Sequence, residues 1–220
     1  STVRLPHGWP AKRPQAAMAN QNSDSAPDCP PNVRDQIIRQ LEAHRSNDGG
    51  YRPTLGSDFS TVYGCFLALG AYQDCGVGIP DPDRMAQCLT TLATDDGAWA
   101  NDRIVKIGST NATAAAITLL RHLNRRPPSG AGDWLLARCH PQGGFLASPS
   151  APLPDLLSTA TSLHALAGLQ RDFSRVKEQC LDFVDSLWTN EGGFHGNWND
   201  EALDSEYTFY GLLALGHLSL

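Results

Sequence analysis

From Val33 onward, apolar residues fall into two alternating kinds of segment. The first kind spaces them at i, i+3, i+4 and i+7. It occurs at residues 34–45 with Ile37, Ile38 and Leu41, at 83–93 with Met85, Leu89 and Leu92, at 132–139, and at 176–188 with Cys180, Phe183, Val184 and Leu187. That spacing predicts amphipathic helices with one buried face and one wet face. The second kind is apolar or small on all sides and almost free of charge beyond its first turn. Its four copies, residues 58–69, 109–120, 155–166 and 204–215, align without a gap. The twelfth position is Leu69, Leu120, Leu166 or Leu215, and the ninth is Phe66, Ile117, Leu163 or Leu212. Helices of that composition face protein or a cavity all round.

Between the two kinds stands a glycine followed two residues later by an aromatic: Gly49 and Tyr51, Gly97 and Trp99, Gly143 and Phe145, Gly192 and Phe194. The glycines fall 48, 46 and 49 residues apart, a period that marks a repeat of one supersecondary unit. Glycine suits a point where the chain leaves a helix with positive φ. The prediction is an all-α array of about four helical hairpins, outer amphipathic helices wrapping inner apolar ones, with the aromatic ring packed between repeats. Residues 1–32 carry six prolines among Gln, Asn, Ser and Ala, and read as a flexible arm ahead of a domain at 33–220.

Composition changes this picture little. The 220-residue chain has net charge −6, which argues against a nucleic-acid partner. It contains no apolar run long enough to span a membrane, and the arm lacks the apolar stretch of a signal peptide, so a cytoplasmic protein is expected. The six cysteines form no CxxC pair and sit mostly in apolar helical segments, as buried reduced thiols would.

An outer helix, a Gly-x-aromatic turn, a loop and an inner helix opening with Asp resemble the prenyltransferase and squalene-cyclase repeat of the α/α-toroid superfamily. The last repeat, Gly192-Gly193-Phe194 followed by Asp204-Ser-Glu-Tyr-Thr-Phe-Tyr-Gly-Leu, is most similar to the β subunits of protein prenyltransferases. The resemblance implies a barrel that holds a polyprenyl diphosphate, with an Asp-x-Cys pair and a later His binding zinc. Here those positions hold Asp155, Leu157 and Tyr207, too few donors for a catalytic zinc. The family's funnel aromatics fall at Ala160 and Thr161, and its basic diphosphate loop falls at residues 146–154, which contain no Lys or Arg. The cyclase branch's acidic motif is approached only by Ala93-Thr94-Asp95-Asp96, in a glycine turn. No metal and no cofactor are therefore expected. Closed toroids of this type use five to seven hairpins, so the chain is expected to be an open crescent or to close through a homodimer, a partner subunit or its Pro-rich arm.

Candidate chemistry lies where the inner helices begin. Asp58, Ser109, Asp155 and Asp204 suit helix caps, and they equally suit a mouth of carboxylates. Asp155 and Asp204 are the candidate acid and base, with Glu206 and Tyr207 as tuning neighbours. Arg52, Arg103 and Lys106 enter the first two inner helices as candidate anion-binding groups. Asp58, Asn111 and His164 are further substrate-binding candidates, His164 being read as a core histidine bonded to a neighbouring hydroxyl. The expectation is a zinc-independent enzyme of the prenyltransferase or terpene-cyclase class, working by carboxylic acid-base chemistry on a small apolar or isoprenoid-like molecule. Two alternatives stay open: a non-catalytic ligand- or partner-binding module, and a prenyltransferase β-like subunit.

Overall fold

The computed structural model describes residues 30–219. Among the described residues, eight helices alternate as predicted. The outer set is α1 (Pro31–Ala43), α3 (Pro82–Thr91), α5 (Ala131–Leu136) and α7 (Ser174–Ser186). The inner set is α2 (Val62–Asp74), α4 (Thr110–His122), α6 (Leu156–Gly168) and α8 (Ser205–Leu218). Two short strands, β1 (Phe145–Leu146) and β2 (Pro154–Asp155), pair antiparallel across a seven-residue loop. Helix α1 starts inside the segment read as an arm; the rest of that arm lies outside the described residues.

The glycine turns are the same in all four repeats. Gly49, Gly97, Gly143 and Gly192 have φ of 97°, 83°, 90° and 92°, as an exit from a helix through the left-handed region requires. Each turn is closed by an isolated antiparallel bridge to the aromatic: Arg45 to Tyr51, Ala93 to Trp99, Cys139 to Phe145 and Trp188 to Phe194. The rings of Tyr51, Trp99, Phe145 and Phe194 are all buried in one continuous core. In the first three repeats the backbone N–H of the aromatic donates to a side chain of its own inner helix, Cys65 at 3.4 Å, Thr113 at 3.1 Å and Thr159 at 2.9 Å. A buried N–H left without such a partner would cost about 1–3 kcal/mol.

Successive repeats are joined at the inner-helix starts. The N–H groups of Val62, Thr110 and Leu156 donate to the carbonyls of Asn101, Ala147 and Gly196, each two residues beyond the next repeat's aromatic. The inner helices consequently pack in order, α2 on α4, α4 on α6 and α6 on α8. Ion pairs between outer helices and the turns after inner ones, Asp83 with Arg125 and Asp133 with Arg171, add a peripheral tie that is worth little by itself.

The first inner helix departs from the sequence register. Its N-cap is Thr61, whose side chain accepts from the N–H of Gly64 at 3.0 Å. Asp58 lies three residues earlier on an exposed loop, bonded to the side-chain amide of Asn47 at 2.7 Å. The caps Thr61, Ser109, Asp155 and Asp204 each stand ten residues after the aromatic of the turn. On that register Ala68, Ala116, Ser162 and Gly211 occupy the eighth position, and all are buried. Small side chains there let the inner helices approach closely.

Candidate functional site

Helical geometry brings every third and fourth residue to one face, so positions 3, 7, 10 and 14 of the four inner helices form a concave wall. Near the helix starts stand Tyr63, Asn111, Leu157 and Glu206; deeper come Leu67, Ala115, Thr161 and Tyr210; His122, His164 and His217 lie toward the far end. Hydrogen bonds cross between neighbouring helices on this wall. The hydroxyl of Thr161 donates to Asn111 Oδ1 at 3.0 Å, and His164 Nδ1 meets His217 Nε2 at 3.1 Å. Burial raises the Tyr210 phenol on α8, with smaller contributions from Glu206 and from Tyr63 on α2. Tyr63, Phe66 and Leu67 present exposed apolar surface on α2, as do Phe209 and Leu212 on α8.

The four sequence candidates for acid-base work separate by environment. Asp155 is half-buried, and burial pushes its carboxyl above the usual carboxylate range despite hydrogen bonds from Ser158. Those bonds, from the N–H at 2.7 Å and the hydroxyl at 2.8 Å, make it the cap of α6. Asp204 caps α8 through the N–H of Tyr207 at 2.8 Å, and both it and Glu206 are exposed. Tyr207 is half-buried beneath Gly196, where any Cβ would fall 2.4 Å from its ring. Its phenol is raised by burial first, then by the negative charges of Asp200, Asp204, Asp155 and Glu206. Asp155 and Tyr207 therefore share one electrostatic neighbourhood, whereas Asp155 and Asp204 share no hydrogen bond. Asp96, of the acidic string in the second turn, goes the opposite way. Burial raises it, but bonds from Thr94 at 2.6 Å and the Trp134 indole at 2.9 Å prevail and hold its carboxyl low.

The basic candidates sit together over the first two inner helices. Arg52 is paired with Asp102 at 2.6 Å, which ties the loops of repeats one and two and leaves this cation neutralised. The Arg103 guanidinium stacks on the Phe59 ring at 3.7 Å, and the Lys106 ammonium caps the Arg103 carbonyl at 2.9 Å. His164 is not the core histidine bonded to a hydroxyl that the sequence predicts; it is exposed on the wall, and its partner is another imidazole. Burial and the neighbouring Arg121 and His122 lower its pKa, and burial with His164 lowers that of His217. The inner helices end there against one another, so the partner supplied by packing is whatever ring the adjacent helix carries. No residue spacing within one helix would have revealed the His164–His217 pair.

The resident zinc implied by the resemblance does not fit these residues. Leu157 offers no donor between Asp155 and Tyr207, and no group of three His, Cys, Asp or Glu residues is placed to hold a metal among the described residues. The described cysteines 65, 75, 88, 139 and 180 are free thiols, with Cys65 and Cys88 Sγ 3.9 Å apart in the core. A cleft of about 520 Å³ lies between α3 and α4, lined by residues such as Leu89, Trp99 and Leu120, and is separate from the concave wall.

Hairpins in sequence, inner helices lining a concavity and polar groups at their starts define a helical toroid domain. The family model for the prenyltransferase alpha-alpha toroid domain matches residues 20–123 and 110–218, and the chain belongs to that family. No curated protein sequence matches it. Among solved structures it is similar to the type II terpene cyclase MstE from Scytonema, with TM-score 0.61 and 17% identity over 85% of this chain and 57% of that one. A variant of that cyclase is known in complex with its substrate, geranylgeranyl dihydroxybenzoate. The ent-copalyl diphosphate synthase from Streptomyces platensis gives TM-score 0.61 and 20% identity over 86% and 36%. Protein geranylgeranyltransferase-I of Candida albicans, complexed with GGPP, gives 0.54 and 17% over 79% and 51%. The chain thus spans between about a third and three-fifths of the length of these structures, and at such identities the likeness establishes the fold alone. No described helix is long and apolar enough to cross a membrane.

Proposed function

We propose that the chain handles an isoprenoid-like apolar molecule on its concave wall, as a zinc-independent member of the prenyltransferase and terpene-cyclase class. The observation that carries this reading is the pairing of a wall bearing Tyr63, Leu67 and Tyr210 with one carboxyl, Asp155, that burial pushes above the usual carboxylate range. Tyr63 and Leu67 on one side and Tyr210 on the other offer apolar contact to a prenyl chain. Asp155, raised by burial at the mouth, is the general acid of this proposal, with Tyr207 beside it. Asp204 serves as a helix cap, and Glu206 adds negative charge. The fold likeness to two terpene cyclases and a geranylgeranyltransferase supports the substrate class by analogy.

In α4 and α6 the residues at positions 6 and 9, Ala114, Ile117, Ala160 and Leu163, are buried, whereas in α8 the same positions expose Phe209 at 60% and Leu212 at 53%. A partner subunit or second copy completing the ring would cover them and close the concavity over a substrate. The second reading, a module that binds without turnover, is favoured by one detail. Both oxygens of Asp155 are already engaged with Ser158.

Asp155→Asn separates the two readings, because Asn caps a helix as well as Asp does but cannot donate an acidic proton. Purified protein is titrated with geranylgeranyl diphosphate while intrinsic fluorescence reports binding and chromatography reports products. The enzyme reading predicts turnover that Asp155→Asn abolishes with binding retained. Binding with no product in either protein would establish the module, and absence of binding would overturn both.

A further inference from the structure

We infer that the loops entering α2 and α4 form a membrane-docking surface that seats the open mouth on an anionic lipid bilayer. The two loops, residues 52–60 and 101–108, behave as one unit. Arg52 bonds Asp102, Arg103 stacks on Phe59, and Asn101 accepts from the N–H groups of Val62 and Tyr63 at 3.1 and 2.9 Å. On this unit Ile104 is 83% exposed, Ile107 63% and Leu55 62%, with Val105 and Phe59 also exposed beside them. Single exposed apolar side chains are ordinary, but five on two interlocked loops are a patch of the kind that marks an interaction site.

Charge selects the occupant. The protein as a whole carries −6, yet Arg103 and Lys106 are interleaved with the exposed aliphatics and form no salt bridge among the described residues. Of the two carboxylates on these loops, Asp102 is spent on Arg52 and Asp58 is bonded to Asn47. Aliphatic side chains that enter the acyl boundary while basic ones stay at headgroup level are the requirement for a protein that lies on an anionic membrane. The loops entering α6 and α8, residues 147–154 and 195–204, contain no Lys or Arg, so docking would tilt the first half of the arc toward lipid. Tyr63, at the first wall position of α2, adjoins the patch, which places an apolar path between bilayer and concavity. This inference does not depend on catalysis.

The test is co-sedimentation of the full chain with vesicles of phosphatidylcholine alone and of phosphatidylcholine mixed equally with phosphatidylglycerol. Binding to the mixed vesicles, weakened by added salt, is expected. The double variant Ile104→Asp, Ile107→Asp should lower it about tenfold or more, since two insertions are replaced by two repelled charges. Arg103→Glu with Lys106→Glu should remove the preference for anionic vesicles. Phe209→Asp, on the equally exposed face of α8, should bind like the parent chain. The inference is overturned if the parent chain sediments with neither vesicle, if the Ile104 and Ile107 double variant binds as well as the parent, or if Phe209→Asp loses as much. A chain that fails here yet binds geranylgeranyl diphosphate in solution keeps the proposed function, and the reverse result separates the two the other way.

Discussion

The glycine turns and the concave wall are made by the same four repeats, yet the turns are alike in every copy and the wall is different in every copy. All four turns share a positive-φ glycine, an antiparallel bridge and a buried ring. The wall carries Tyr63, Asn111, Leu157 and Glu206 at one level and Leu67, Ala115, Thr161 and Tyr210 at the next. A position that every repeat must fill alike is answering to the fold. One that each repeat fills differently is free to answer to a ligand.

The largest effect should come from testing how alike the turns are. At Gly143 a Cβ would fall 1.8 Å from the Gln179 carbonyl, whereas at Gly97, at nearly the same φ, it would meet open space. Gly97→Ala should cost about 1 kcal/mol, for the backbone conformation alone. Gly143→Ala, which must also displace backbone of α7, should cost about 3 kcal/mol or more by thermal or urea unfolding. Equal losses would show that the clash is relieved without cost and that the turns are looser than their shared geometry implies.

Two threonines two residues apart on α6 sharpen the contrast between turn and wall. Thr159→Val orphans the buried N–H of Phe145 and should destabilise by about 1–3 kcal/mol. Thr161→Val, which removes the half-buried contact to Asn111, should stay within about 0.5–1 kcal/mol. Ligand affinity should rank them the other way.

The first repeat adds an ionic clamp that the others lack. Burial pushes the Glu42 carboxyl up, but hydrogen bonds from Arg45 and the phenols of Tyr72 and Tyr51 outweigh it and hold the group at about 2. A carboxylate whose folded pKa is depressed stabilises the fold above its unfolded value near 4.5 and loses that contribution as pH falls toward 2. Glu42→Gln should therefore cost about 1 kcal/mol at neutral pH, after allowance for screening of a part-exposed group, and flatten the acid limb of the stability profile between those values. A Glu42→Gln protein with an unchanged acid limb would assign the sensitivity elsewhere.

The fold was legible because turns and helix faces obey local rules: a glycine period, a 3.6-residue spacing and a capping residue. The single misregistered helix shows how such rules compete. Asp58 is a good cap and brings Leu69 into line with the other leucines, but the spacing of ten from turn aromatic to cap selects Thr61. That spacing is set by the backbone bond from the cap to the aromatic, seen as Thr61 N–H to the Tyr51 carbonyl and Ser109 N–H to that of Trp99. The wall was less legible. Asp155 could be named as a candidate from sequence, but its raised pKa and the exposure of Asp204 depend on how deeply each helix start is covered. The His164–His217 pair depends on which rings two different helices bring to the same depth. The apolar patch on the loops entering α2 and α4 was visible only as three basic residues, because the exposure of Ile104 and Ile107 is a property of the folded loops.

The claim that the wall is the functional surface is tested most directly by titrating geranylgeranyl diphosphate into the parent chain and into Tyr210→Ala, with Phe209→Ala as its neighbour outside the wall. Tyr210 is half-buried in the concavity and Phe209 faces away from it, so the account predicts about tenfold weaker binding for Tyr210→Ala and unchanged binding for Phe209→Ala. Equal affinities for all three chains, or a loss confined to Phe209→Ala, would contradict it.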